Sequence, residues 1–119
     1  PALVDPTDTN APLGDRARAW LHTNCAQCHR SGGPTPSSMD LRFSTALSAT
    51  NACNADPQAG SFGITNAKIL APGDAARSVL IYRASRRDSS GMPPIGSNEI
   101  DTAGVALLSS WVDSLSGCN

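Results

Sequence analysis

The chain has 119 residues, a formal net charge of −1, 39% hydrophobic residues and only 4% aromatic ones. That is the size of one domain with a modest core, and a chain so short of large side chains gains much from a bulky apolar group at its centre or from a covalent staple. The charge balance excludes a basic patch for nucleic acid, the aromatic content excludes a base-stacking platform, and no apolar run is long enough to span a membrane.

The chain opens on Pro1 with no visible signal peptide, which reads as a processed product or a domain excised from a larger protein. Residues 1–13 are polar, proline-containing and aperiodic, the mark of a linker or arm; residues 14–119 are expected to form the domain. Residues 14–27 predict a helix, with Ala17, Trp20, Leu21 and Cys25 at three- and four-residue spacing and Arg16 and Arg18 on the other side. Residues 30–40 hold the Gly and Pro residues of a loop, 41–49 suit a short helix, and 50–67 read as a long surface loop rich in Asn, Gly and Ala.

Helical signals return over 73–85, where Asp74 is expected to cap the first turn and Pro72 blocks extension backwards. The segment SGMPPIGSN, 90–98, is a constrained loop. The last helix, 101–115, opens on Asp101 as its cap and turns Val105, Leu108, Trp111, Val112 and Leu115 inward. No segment shows the alternation of a strand. The expected fold class is all-α with long connections.

The chemistry lies in NCAQCH, residues 24–29. A zinc site needs four donors, commonly as two short-spaced pairs, and Cys53 and Cys118 stand apart from the first pair and from each other. A thioredoxin-like dithiol expects a βαβ context that is absent here. A disulfide between Cys25 and Cys28 would close only a tight local loop. Attachment of c-type haem uses every residue: Cys25 and Cys28 form thioethers, and His29 ligates iron from the proximal side. Such haem is assembled outside the cytoplasm, where disulfides also persist. That compartment favours a Cys53–Cys118 bond, worth roughly 4 kcal/mol on the chain-entropy model; the alternative is two buried thiols.

For the far face of iron the chain offers Met39, Met92 and His22. His22 lies on the helix that carries the cysteines and reads as a surface histidine, and Met39 suits a pocket-filling role. Met92 sits in GMPPIG, whose prolines stiffen the loop, and His/Met ligation is a standard arrangement, so Met92 is the expected ligand. A propionate would be gripped by Arg42, with Tyr82 and Arg83 as second choices; Arg86 and Arg87 read as solvated surface. Leu41, Phe43, Ile69, Leu70, Leu80 and Ile95 are expected to line a pocket, each equally at home as plain core. Pro34 or Pro36 would offer a carbonyl to the second nitrogen of His29.

Taken together these residues resemble the small single-haem cytochromes c: a first helix, CxxCH, a distal methionine loop and a last helix. The resemblance implies that the two helices cross, with Ala17 and Leu21 in the glycine and aromatic places of the first helix and Leu108 and Trp111 matching on the last. Ala and Leu at those places imply a shifted or wider crossing. NCAQCHRSGGP, MDLRF, APGDAARSVLIYR and MPPIGSNEIDTAGVALLSSWV are similar to haem modules appended to large secreted bacterial proteins, some of them in polysaccharide-degrading systems.

The function so implied is one-electron transfer by one covalent haem c, without catalysis, in a periplasmic or extracellular monomer that meets redox partner proteins by transient contact. An oxidative polysaccharide-degrading enzyme is one such partner class. With a single lysine, Lys68, there is no lysine-ringed docking face. The rival is a haem peroxidase or small-ligand sensor in which the sixth ligand dissociates.

Overall fold

The computed structural model describes residues 3–26, 29, 39–58, 60–86 and 101–119. Its regular structure among these residues is helical: α1 (Leu13–Cys25), α2 (Val79–Ala84) and α3 (Thr102–Ser114), with single 3-10 turns at Leu47–Ala49 and Ala75–Arg77. No strand occurs among the described residues; Cys53 with Leu70 and Lys68 with Ser78 form isolated parallel bridges. None of the described helices is long and apolar enough to cross a membrane.

α1 and α3 pack against each other in opposite directions. Near one end Trp20 of α1 lies over Gly104 of α3, and near the other Gly14 of α1 faces Trp111 of α3, whose Nε1 would sit 3.5 Å from an added Cβ. A Cβ at Gly104 would run into Trp20 Nε1 and lie 2.5 Å from Cε2, so only glycine permits this approach. The cytochrome c resemblance implies the small residue at Ala17 and the aromatic one at Trp111, with a shifted or wider crossing. In the structure the contact is shifted: Gly104 supplies the gap and Trp20 fills it. Ala17, Leu21, Leu108 and Val112 are buried around this contact. Leu107 joins them although the expected inward face omits it.

Asp101 caps α3 as expected: its Oδ1 accepts the N–H of Gly104 at 2.8 Å. Its other oxygen, Oδ2, accepts the indole N–H of Trp20 at 2.9 Å. One carboxylate therefore satisfies a helix terminus and the polar atom of a core tryptophan.

The region 73–85 is not one helix. Ser78 is extended, with φ −92° and ψ 110°, and separates the 3-10 turn from α2. Its buried hydroxyl accepts from the Ala71 amide at 2.9 Å and donates to the Asp74 carbonyl at 3.0 Å, so a side chain takes the place of helical bonds. Asp74 caps nothing with its side chain and pairs with Arg77 Nε at 2.9 Å; the Ala75 amide goes to Asp113 of α3 at 2.8 Å. The corner at Gly73, φ +80°, donates its N–H to the Val112 carbonyl at 2.8 Å and seats this region on the end of α3.

The expected short helix over 41–49 reduces to its last turn, for reasons given with the site. Residues 50–67 run partly through the interior, contrary to the expected surface loop. Thr50 and Ala52 are buried, and the amides of Asn54 and Leu70 bond to Leu70 and Ala52 at 2.7 and 3.1 Å. Asn51, Asn54 and Asn66 take positive φ, a role asparagine fills more readily than most residues. A Cys53–Cys118 disulfide, Cα–Cα 5.8 Å, fastens this segment to the residues after α3. In the arm, turns at residues 5–11 lead into α1, and Arg16 Nε holds the Pro6 carbonyl at 2.9 Å.

Candidate functional site

The motif begins on the last turn of α1. Cys25 is half-buried there against the core, and the His29 amide donates to the Cys25 carbonyl at 2.8 Å. That is a helical step, so Cys25 and His29 lie one turn apart on the same side of the chain. Cys28 lies outside the described residues, as do Met92, Ile95, Arg87, Pro34 and Pro36.

His29 is half-buried. Burial first, and the positive charge of Arg83 second, hold its imidazole below the ordinary histidine pKa and favour the neutral ring. Its Nδ1 is buried with no hydrogen-bond partner among the described residues. A neutral, desolvated imidazole is the form that ligates a metal, and a carbonyl on the other nitrogen is the usual complement. The residues present therefore fit a covalently attached haem: a thiol at the end of α1, packed against the apolar core, and a desolvated imidazole one turn on.

The chain after the motif is strapped back onto α1. The Leu41 amide donates to the His29 carbonyl at 2.7 Å and the Asp40 amide to the Thr50 carbonyl at 2.9 Å. From α1, Arg18 Nη2 reaches the Arg42 carbonyl at 2.9 Å and also the Thr45 carbonyl, and His22 Nδ1 accepts the Phe43 amide at 2.9 Å. These side-chain grips use backbone groups a helix would need, which is why 41–46 stays irregular. They also correct two expectations: Arg18 is not on a solvent face, and His22 is not a plain surface residue.

Arg42, the residue expected to grip a propionate, closes its fork on Asp40, with Nε to Oδ1 at 3.0 Å and Nη2 to Oδ2 at 2.6 Å. The paired guanidinium holds the Asp40 carboxyl far below the usual carboxylate range, against the opposing effect of burial. Asp40 also raises the affinity of Arg18 for its proton, while burial of Arg18 acts the other way and dominates.

No known family, curated protein or solved structure matches this chain.

Leu41, Ile69 and Leu70 are buried together in the core, Leu80 and Met39 are partly buried against it, and Phe43 is half-buried. Tyr82 turns to Phe62, the ring centroids 5.1 Å apart and the planes at 28°. Arg83 stacks over Phe62 at 5.4 Å and Arg86 over Tyr82 at 4.4 Å. Arg86 is thus half-buried on a ring, not the solvated residue expected. Phe62 was missing from the expected set. It occupies the first central position of a tight turn, with φ +54° followed by Gly63 at +79°, closed by Ile64 N–H to the Ser61 carbonyl at 3.0 Å. Asn or Gly normally stands there. The signal was a lone bulky residue in GSFGIT.

Proposed function

We propose that this protein is a one-electron carrier of the cytochrome c type, with one haem held by thioethers to Cys25 and Cys28 and with His29 as its proximal ligand. The observation that carries the reading is the helical step from Cys25 to His29 inside NCAQCH, which sets the two residues one turn apart, with the His29 imidazole desolvated and its pKa lowered. Zinc and dithiol chemistry have no use for a histidine directly after the second cysteine in this setting, whereas haem attachment requires it.

When bound, haem c supplies a reversible ferric/ferrous couple. The chain's own contributions are these. Cys25 and Cys28 keep the cofactor attached on dilution, which suits a secreted or periplasmic protein, and the Cys53–Cys118 bond accords with such an oxidising compartment. Burial keeps the proton off His29, so its ring is ready to ligate. Met92, in its stiff MPP loop, is the second axial ligand in this reading; a soft thioether favours ferrous iron. The packing of the first helix against the last accords with the crossing that the cytochrome c resemblance implies. With no cluster of lysines, partner contact is small and transient, centred on the haem edge.

Denaturing mass spectrometry tests the attachment: the polypeptide is expected to keep one haem in acid and organic solvent, and clean extraction from matured protein refutes the reading. Met92→Ala is expected to lower the reduction potential and admit cyanide or carbon monoxide to iron. Met39→Ala is expected to do neither, and the reverse pattern would make Met39 the ligand.

A further inference from the structure

The bond from the Phe43 amide to His22 Nδ1 needs a lone pair on that nitrogen, which puts the ring proton on Nε2. One turn earlier on α1, Arg18 holds the carbonyls of Arg42 and Thr45. Two side chains of one helix face thus seize consecutive polar groups of the strap. The charged groups on this face and on the strap are Arg18, Arg42 and Asp40, and Arg42 and Asp40 are paired with each other. From α3, Asp101 spends its carboxylate on Trp20 and Gly104. The strap in turn meets the site at a single described backbone bond, Leu41 N–H to the His29 carbonyl.

We propose that His22 is a positioning residue of the haem site: it fastens the strap to α1 so that Leu41 keeps hold of the His29 backbone and fixes how the proximal ring is presented. This rests on the haem reading of His29. It gives His22 a task other than ligation, and it makes α1 the common foundation of Cys25, His29 and the strap that steadies them.

The test uses the protein as matured, with His22→Asn, His22→Gln and His22→Ala. Asparagine places an acceptor oxygen where Nδ1 lies, while glutamine carries it one bond further. Loss of one hydrogen bond is expected to speed amide exchange at Phe43 by about five- to tenfold in the Ala and Gln variants. Exchange at Leu41 is expected to rise with it, and the reduction potential to move to more negative values as water gains access. His22→Asn is expected to match wild type in all three. Faster exchange at Phe43 with Leu41 and the potential unmoved overturns the proposal, as does equal behaviour of the Asn and Gln variants. Loss of an axial-ligand band in His22→Ala, absent from Met92→Ala, also overturns it by making His22 a ligand. If the protein carries no haem but Leu41 exchange still follows the Ala, Gln and Asn series, the positioning of His29 stands and the electron-transfer reading falls. Should His22→Ala fail to fold, the contrast between Asn and Gln decides alone.

Discussion

Alanine in place of Gly104 should weaken this protein, although the same change in an ordinary helix interior strengthens it. By propensity alone Gly→Ala in mid-helix is worth about 1 kcal/mol in favour of folding. Here the new Cβ would overlap Trp20 Nε1, lie 2.5 Å from Cε2 and lie 2.7 Å from Asp101 Oδ2. Trp20 is only 6% exposed and cannot swing into solvent, so the helices must separate or the ring must tilt. Overpacking of this kind costs about 1–3 kcal/mol. Tilting the ring also breaks its hydrogen bond to the Asp101 carboxylate, of a class worth about 1.5–3 kcal/mol. After the propensity gain, a net loss of about 1.5–5 kcal/mol is expected, or roughly 6–20 °C in Tm at this chain length. Gly14→Ala is the control: its nearest neighbour, Trp111 Nε1, is at an ordinary 3.5 Å, so the change should be neutral or mildly stabilising. Urea unfolding followed by tryptophan fluorescence, with circular dichroism in parallel, measures both. A Gly104→Ala protein as stable as the parent would show that α1 and α3 do not meet at this point.

Replacing Cys53 and Cys118 together by Ser should cost about 4 kcal/mol through the freed loop of 65 residues, read as a lower unfolding midpoint, with the spectrum of any bound haem nearly unchanged. Asp40 has a carboxyl held well below its ordinary pKa by Arg42, so its share of stability is full above about pH 4, where the unfolded chain has lost that proton, and is lost as pH falls further. Asp40→Asn should therefore flatten the acid limb of a Tm-against-pH curve and lower the plateau near neutrality; an unchanged acid limb would refute the pairing. Phe62→Ala should remove the stack under Tyr82 and the seat of Arg83, costing about 1–2 kcal/mol and reducing the near-ultraviolet tyrosine signal.

The two long helices were legible because their apolar periodicity is strong and Asp101 is an unambiguous cap. The disulfide was legible because only two cysteines remained once NCAQCH was accounted for. What stayed hidden depends on partners distant in sequence. Nothing local in LHT says that His22 meets Phe43, or that Arg18 reaches past it to residues 42 and 45. Asp74 looks like a cap, yet Arg77 takes its carboxylate and Ser78 bends the chain out of the helix it would have started. The contact residues of the crossing stayed hidden because glycine inside a helical pattern reads as a weakness, whereas Gly104 is the recess for Trp20. The Arg42 pairing was hidden likewise: its fork suits any carboxylate, and Asp40 stands two residues away.

The hydrogen bond from Trp20 to Asp101 spans 81 positions, and its consequence falls on the growing chain. A ribosome adds residues at about 5–20 per second, so α1 waits roughly 4–16 seconds for the partner that buries it. Throughout that interval NCAQCH is on an unpaired segment, its thiols open to whatever enzyme or oxidant meets them first. Packing of α3 against α1 is the event that ends this wait, and until then the end of α1 that carries Cys25 lacks its partner helix.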